Sequence, residues 1–334
     1  MNNLLSDRIK SVPKSFIREI LKVTTQPDII SFAGGLPNSD LFPIDEIEQA
    51  CSKVLKTNGA KALQYSSTEG DLELRQWIAQ RYKSKQGLDI STDNILITNG
   101  SQQTFDLIGK VLLNESDDIA IENPGYLGAI QSFALFQPVM NTVDLSEEGL
   151  NIEQLNDVLA TKKPKLLYSV PNFQNPTGIS YSQSNREAVA ESVKTHKTLL
   201  VQDDPYGALR FSGTPNSSFY ELIPEQTLLL GTFSKIVVPS FRLGWIVAPE
   251  WLIEPLTVAK QAADLHTNYF SQQVMVNYLN DNSLDKHIAS ITELYGKQKQ
   301  TMIDSIDEYF PKDVHVAHSE GGMFLWVTIC CLRH

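Results

Sequence analysis

Lys235 stands alone in the stretch "LLLGTFSKIVVPSFRLGW", residues 228–245. An apolar run ends at Gly231, hydroxyls follow at Thr232 and Ser234, and Arg242 comes seven residues after the lysine. A lysine amine attacks a carbonyl only when neutral, and desolvation near a second cation lowers its pKa towards that form. Short hydroxyls on the same turn suit an anion such as a phosphate. Taken alone, the stretch admits a Schiff-base lysine with an anion seat beside it. The bland alternative is a solvated lysine, with Arg242 paired to a surface carboxylate.

Four further clusters carry residue types that such chemistry needs. Gly100, Ser101 and Gln102 form either an ordinary turn with Ser101 as helix cap, or an anion seat built on free N–H groups and the helix dipole. Asn123-Pro124-Gly125-Tyr126 places a tyrosine after a turn, and "QNPTG", which holds Asn175, is on its own simply a good turn. Asp203, followed by Asp204, Pro205 and Tyr206, reads either as turn punctuation or as a functional carboxylate. Together, a reactive lysine, a phosphate seat, an aspartate and two tyrosines are what pyridoxal phosphate requires. That cofactor is an electron sink for a carbanion, and a carboxylate must keep its ring nitrogen protonated. Asp203 is the candidate.

The elements around these clusters decide whether they can meet. "NILITNGSQQTFDLIGKVLL" predicts a strand at Ile95–Thr98, a turn at Asn99-Gly100 and a helix from about Ser101. "DDIAIENPGYLGAIQSF", "PKLLYSVPNFQNPTG", "KTLLVQDDPYGAL" and "QTLLLGTFSK" repeat the theme of a short β-rich run broken by Gly, Pro, Asn or Asp. Helical patterns such as "SQSNREAVAESVKTHK" lie between them. Buried strands alternating with helices predict an α/β fold with a mostly parallel sheet covered on both faces. Ligands of such sheets bind beyond the carboxyl ends of the strands, and every cluster falls at such an end.

Composition narrows the function classes. The chain has 334 residues, 42% of them hydrophobic, which suits two domains. Its net charge of -11, from 28 Lys+Arg against 39 Asp+Glu, and the lack of any basic block argue against nucleic acid or anionic membrane as partners. The opening "MNNLLSDRIKSVPKSF" lacks the apolar core and cleavage site of a secretory signal, and no stretch approaches a bilayer-spanning length. The three cysteines, Cys51, Cys330 and Cys331, and the six scattered histidines show no metal-ligand or redox spacing. A cytoplasmic protein without a metal centre is expected.

The motifs "SFIREILK", "ISFAGGLPNSDLFP", "LQYSSTEGDLELRQWI", "ITNGSQQTFDL", "NPGYLGAIQSF", "PNFQNPTG", "QDDPYGALRF", "GTFSKIVVPSFRLGW" and "EGGMFLWV" follow one another in that order. In this the chain resembles the fold-type I pyridoxal-phosphate aminotransferases of class I/II, and within them the 2-aminoadipate and kynurenine (aromatic) branch. The resemblance implies a three-layer α/β/α large domain at residues 61–275 and a smaller α+β domain. The smaller one would start within an N-terminal arm at 1–60 and continue, incomplete, at 276–334. It implies transfer of an amino group from an L-amino acid to a 2-oxo acid, 2-oxoglutarate being the expected acceptor.

By the same resemblance Lys235, Asp203 and Tyr206 would be catalytic. Lys235 would carry the cofactor and move a proton at the substrate α-carbon. Thr232, Ser234, Arg242, Ser101 and Gln102 would hold the phosphate, Asp203 would pair with the ring nitrogen, and Tyr206 and Asn175 with the ring hydroxyl. Tyr126 would stack on the ring. Tyr65 would reach the phosphate of a neighbouring subunit's cofactor, so that a homodimer shares its sites. For the substrate, Arg18 matches an arginine that can read a distal carboxylate; alternatively it lies on the polar face of a helix, opposite Phe16, Ile17, Ile20 and Leu21. Asn175 and the backbone at Gly34-Gly35 would lie near the α-carboxylate, although the glycines read equally as a bare turn.

The chain departs from the family after "GGMFLWV", where relatives continue into the small domain and an arginine that clamps the α-carboxylate. This sequence ends in "TICCLRH", and Arg333 does not sit in the motif of that arginine. A truncated or fragmentary chain with weakened amino-acid binding is the expectation. Competing readings are a carbon–sulfur lyase on the same cofactor, a remnant that binds cofactor without turnover, and a non-enzymatic regulator. The last ranks low because of the acidic charge and because no winged-helix segment is read ahead of "SFIREILK".

Overall fold

A computed structural model of the chain describes residues 4–10, 12, 28–32 and 34–329. Eight strands form one mixed sheet: β1 (Ile95–Thr98), β2 (Asp118–Asn123), β3 (Val139–Ser146), β4 (Gly149–Leu150), β5 (Leu166–Ser169), β6 (Leu199–Asp203), β7 (Thr227–Thr232) and β8 (Gly244–Val247). Their spatial order is β1-β8-β7-β6-β5-β2-β3-β4. From β3 through β2, β5 and β6 to β7 every pairing is parallel. β8 runs antiparallel between β7 and β1, and β4 turns back on β3. The expected mostly parallel sheet is thus present, with two reversed strands that the pattern did not reveal. "GWIV" is buried at all four positions, so its apolar run carries no mark of direction.

Because β8 reverses against both neighbours, β1 points the same way as the parallel strands. The carboxyl ends of β1, β2, β5, β6 and β7 therefore open on one edge of the sheet, and all five polar clusters lie there.

Side chains alternate between the two faces of the sheet, as the period of two demands. Leu166, Tyr168 and Val201 join a core with Phe105 and Phe133 from helices Ser101–Leu112 and Leu127–Ala134. Leu167 and Leu200 join a second core with Leu155, Leu159, Val189 and Val193 from helices Ile152–Lys162 and Gln183–His196. These are the three layers. Each such leucine or phenylalanine, fully buried, contributes about 1.5–3 kcal/mol relative to exposure.

The 26-residue helix Leu284–Tyr309 leads to a small antiparallel pair, β9 (Val314–Val316) and β10 (Val327–Ile329). Between those strands, residues 319–324 strap back onto the loop after β6. Glu320 O accepts the N–H groups of Phe211 (2.9 Å) and Ser212 (3.1 Å), and Gly322 N–H donates to Leu209 O (2.8 Å). Among the described residues no helix is long and apolar enough to cross a membrane.

Candidate active site

The turn after β7 is held by its own hydroxyls. Thr232 donates to Leu243 O (3.1 Å), accepts the Ser234 N–H (3.1 Å) and lies 3.0 Å from Ser234 Oγ. Thr232 thus shapes the turn, and Lys235 projects from it into the site. Lys235 Nζ donates to Gly35 O at 3.0 Å and lies 5.9 Å from the centroid of the Tyr206 ring. Burial, with the Arg242 cation adding to it, brings the amine down to about 8. The neutral form needed for attack on a carbonyl is therefore accessible near physiological pH.

Beside this turn is the start of helix Ser101–Leu112. Its cap is Gly100, at φ 73 and ψ 173, with no side-chain cap bond. Ser101 is consequently the first helical residue and does not cap the helix. Gln103 N–H donates back to Gly100 O (3.1 Å), and the N–H groups of Ser101 and Gln102 ahead of it face the spot where the helix dipole favours an anion. The Arg242 guanidinium closes the same spot: a Cβ placed on Gly100 would stand 2.7 Å from Arg242 Nη2. Gln102 Nε2 donates to Gly128 O (3.0 Å), tying this helix to the next one. Behind the loop, Asn99 N–H donates to Gln103 Oε1 (2.8 Å), which also accepts from the fully buried Lys260 (2.9 Å).

At the end of β6 the two aspartates differ. Asp204 Oδ1 accepts from Asn172 Nδ2 (2.9 Å) and Gly207 N–H (3.0 Å), so it serves the turn. Asp203 is buried; its Oδ2 accepts the Tyr168 hydroxyl at 2.8 Å, and its Oδ1 has no hydrogen-bond partner. Burial lifts Asp203 to about 7, while the Tyr168 hydrogen bond opposes the rise. A bare, buried carboxylate oxygen is costly unless something donates to it.

Asn175 Nδ2 donates to the Tyr206 hydroxyl at 3.2 Å, so these two side chains, expected at one ring hydroxyl, are already paired. Burial pushes the Tyr206 phenol well up, which keeps it protonated. Phe324 stands edge-on to Tyr206, 5.5 Å between centroids at 88°, and lies against Gly35, where a Cβ would come 2.6 Å from its Cζ. At φ 55, Gly35 adopts the left-handed region besides. Tyr126 begins helix Leu127–Ala134 as its cap residue, its ring edge-on to Phe105 at 6.2 Å.

The set fits pyridoxal phosphate on three counts of this structure. An uncapped helix start with an arginine over it suits the phosphate, a lysine of lowered pKa suits the aldehyde, and the orphaned Asp203 oxygen suits a protonated ring nitrogen. One expected residue lies outside the cluster. Tyr65 is 78% exposed and its ring meets His266, and Arg18 falls outside the described residues.

Comparison with known proteins agrees with this geometry. Residues 27–332 match the family described as Aminotransferase class I and II. The chain belongs to that family. This aminotransferase is 39% identical over 330 residues to aromatic-amino-acid aminotransferase 1 of Thermococcus litoralis, covering 97% of the chain and 79% of the relative. It is 38% identical over 322 residues to the 2-aminoadipate transaminase of Thermus thermophilus, covering 95% and 79%. Among solved structures, the kynurenine aminotransferase of Pyrococcus horikoshii, determined with PMP, superposes with a TM-score of 0.94 at 38% identity, covering 99% of this chain and 83% of that one. The fold is that of the type I pyridoxal-phosphate enzymes, and the activity is amino-group transfer with that cofactor.

Sequence reasoning missed part of this aminotransferase's site. Tyr168 escaped notice inside the strand "LLYS", where only the register with β6 shows that it reaches Asp203. Glu122 was also missed. It is a buried carboxylate that accepts from Val170 N–H (2.7 Å), Tyr181 OH (2.5 Å) and Gln174 Nε2 (2.9 Å). Gln174 Nε2 donates to Pro124 O as well (2.9 Å), so the pair ties the turn before Tyr126 to the turn bearing Asn175. Phe324 lay in a quoted motif but had no role; its contacts depend on the strap described above.

Proposed function

We propose that this aminotransferase takes the amino group of L-amino acids such as 2-aminoadipate, glutamate or aromatic donors and passes it to 2-oxoglutarate. The observation that carries the reading is that one edge of the sheet carries both a lysine amine brought down to about 8 and a buried aspartate oxygen that no donor among the described residues satisfies. The named activities of the relatives support the donor class.

When bound, pyridoxal phosphate supplies an aldehyde for an amine and a protonated ring that accepts the electron pair left at the substrate α-carbon. Lys235 Nζ in its neutral form would take the α-proton and, as the ammonium so formed, would return it. Asp203 Oδ1 would accept the ring N–H. Asn175 and the protonated Tyr206 would donate to the ring oxygen, and Tyr126 would cover the ring face. Arg242, Ser101, Ser234 and the start of the helix would hold the phosphate, with Thr232 and Gln102 fixing the turns that present them. Gly35 and Asn175 meet the substrate α-carboxylate, and Arg18 reads a distal one. The unit at residues 61–275, which contains the eight-stranded sheet, binds the cofactor. The protein works in the cytoplasm as a homodimer in which Tyr65, exposed on its own protomer, completes the neighbour's phosphate site.

Borohydride reduction of the loaded protein followed by peptide mapping should label Lys235, and Lys235→Ala should abolish turnover. A label on another lysine would sink the assignment. A donor panel with 2-oxoglutarate tests the substrate class: Arg18→Ala should lose 2-aminoadipate and glutamate while keeping aromatic donors. Equal losses across the panel would remove Arg18 from the pocket.

A further inference from the structure

The carboxylate assigned to the ring nitrogen has a partner of its own. Tyr168 of β5 pairs with Val201 of β6, so it stands two residues short of Asp203 on the same face. That diagonal is within reach of a long aromatic side chain. Its hydroxyl donates to Asp203 Oδ2 at 2.8 Å, leaving Oδ1 bare. The tyrosine is 1% exposed, with its ring edge-on to Phe105 (5.6 Å, 88°) and Phe133 (6.0 Å, 71°). Packed on two sides by rings, it cannot swing away from the carboxylate.

We propose that Tyr168 is a positioning residue that grips Asp203 by one oxygen and thereby presents the other, ionised, to the cofactor ring nitrogen. The proposal rests on the reading of Asp203 given above. Two physical effects work together. A carboxylate bound at one oxygen in a dry site keeps one orientation, and a hydrogen bond to the charged form favours ionisation. The second effect has opposition to overcome: burial, the neighbouring Asp204 and Glu122 of β2 all disfavour the charge on Asp203. Tyr206, the other titratable group that feels Asp203, is held protonated by burial. Tyr168 is pushed well above its ordinary value by burial and by Asp203 itself, so it stays a donor.

Tyr168→Phe deletes one oxygen and keeps the packed ring. The test loads the parent, Tyr168→Phe and Asp203→Asn with pyridoxal phosphate carrying 15N in its ring, then records the 15N shift against pH and the cofactor dissociation constant. In Tyr168→Phe the ring nitrogen should lose its proton about one pH unit lower than in the parent. The dissociation constant should rise about tenfold, the size of one hydrogen bond to a charged group. Asp203→Asn should show the same changes, larger. A parental titration in Tyr168→Phe beside a shifted one in Asp203→Asn overturns the positioning role alone. A parental titration in both variants overturns the reading of Asp203 together with it.

Discussion

At the scale of single residues, Asp203 shows a function held at the expense of stability. Burial raises it to about 7, whereas its ordinary value is 3.8. A carboxyl whose folded pKa lies above the unfolded one makes the cofactor-free protein progressively less stable as pH rises from about 4 to 7. Asp203→Asn should therefore stabilise the cofactor-free protein at pH 7.5, by on the order of a few kcal/mol, with the gain fading as pH falls towards 4. The same substitution should lower kcat about a hundredfold or more, because the ring nitrogen loses its anionic partner. Thermal melts across pH and steady-state kinetics check the two halves; a variant that is both unstable at pH 7.5 and fully active would contradict both. For Lys235 the sign reverses. Its lowered pKa costs stability below about 8, and that cost disappears above about 10.5.

At the scale of elements, the anion seat depends on a helix that begins without a cap. Gly100 holds a φ of 73 and a ψ of 173, a region essentially reserved for glycine, and touches the arginine that closes the seat. Gly100→Ala would add backbone strain of about 1–3 kcal/mol and push the Arg242 guanidinium off the helix start. The expected outcome is cofactor affinity weakened at least about tenfold, with the sheet core intact. Titration of the cofactor-free protein with pyridoxal phosphate, followed by absorbance, measures it. Unchanged affinity would mean that Arg242 and the helix N–H groups do not carry the phosphate. The Glu122–Gln174 pair acts at the same scale. It locks two turns to one another, so neither Tyr126 nor Asn175 has to be positioned by its own turn alone.

At the scale of the whole molecule, the exposed Tyr65 is the test of a shared site. Leu63, two residues away, is also largely exposed, so this stretch offers apolar surface to a partner. If Tyr65 serves the neighbouring protomer, mixing Lys235→Ala with Tyr65→Ala protein should restore activity. Random exchange puts half the molecules in mixed dimers with one intact site of two, about a quarter of the parental rate. No rescue after verified exchange would place Tyr65 in its own protomer's site or in none.

The sequence by itself determined the order of strands, turns and helices, because apolar runs, Asn-Gly and Asn-Pro turns and helix starts are local signals. It also determined the residue types of the site, since a lysine after two hydroxyls, an arginine seven residues on and an aspartate at a strand end are chemistry readable one motif at a time. Only the tertiary structure decided what depends on neighbours across the sheet. The reversed direction of β8 is invisible in four buried apolar residues. Ser101 yielded the cap to Gly100, a choice set by backbone angles. Which of two adjacent aspartates keeps a free oxygen followed from where Asn172, Gly207 and Tyr168 lie, and those partners come from β5 and the turns beyond it, 30 residues or more from Asp203 in the case of Asn172 and Tyr168. A hydrogen bond across strands is a matter of register, and register is settled by the packing of whole faces.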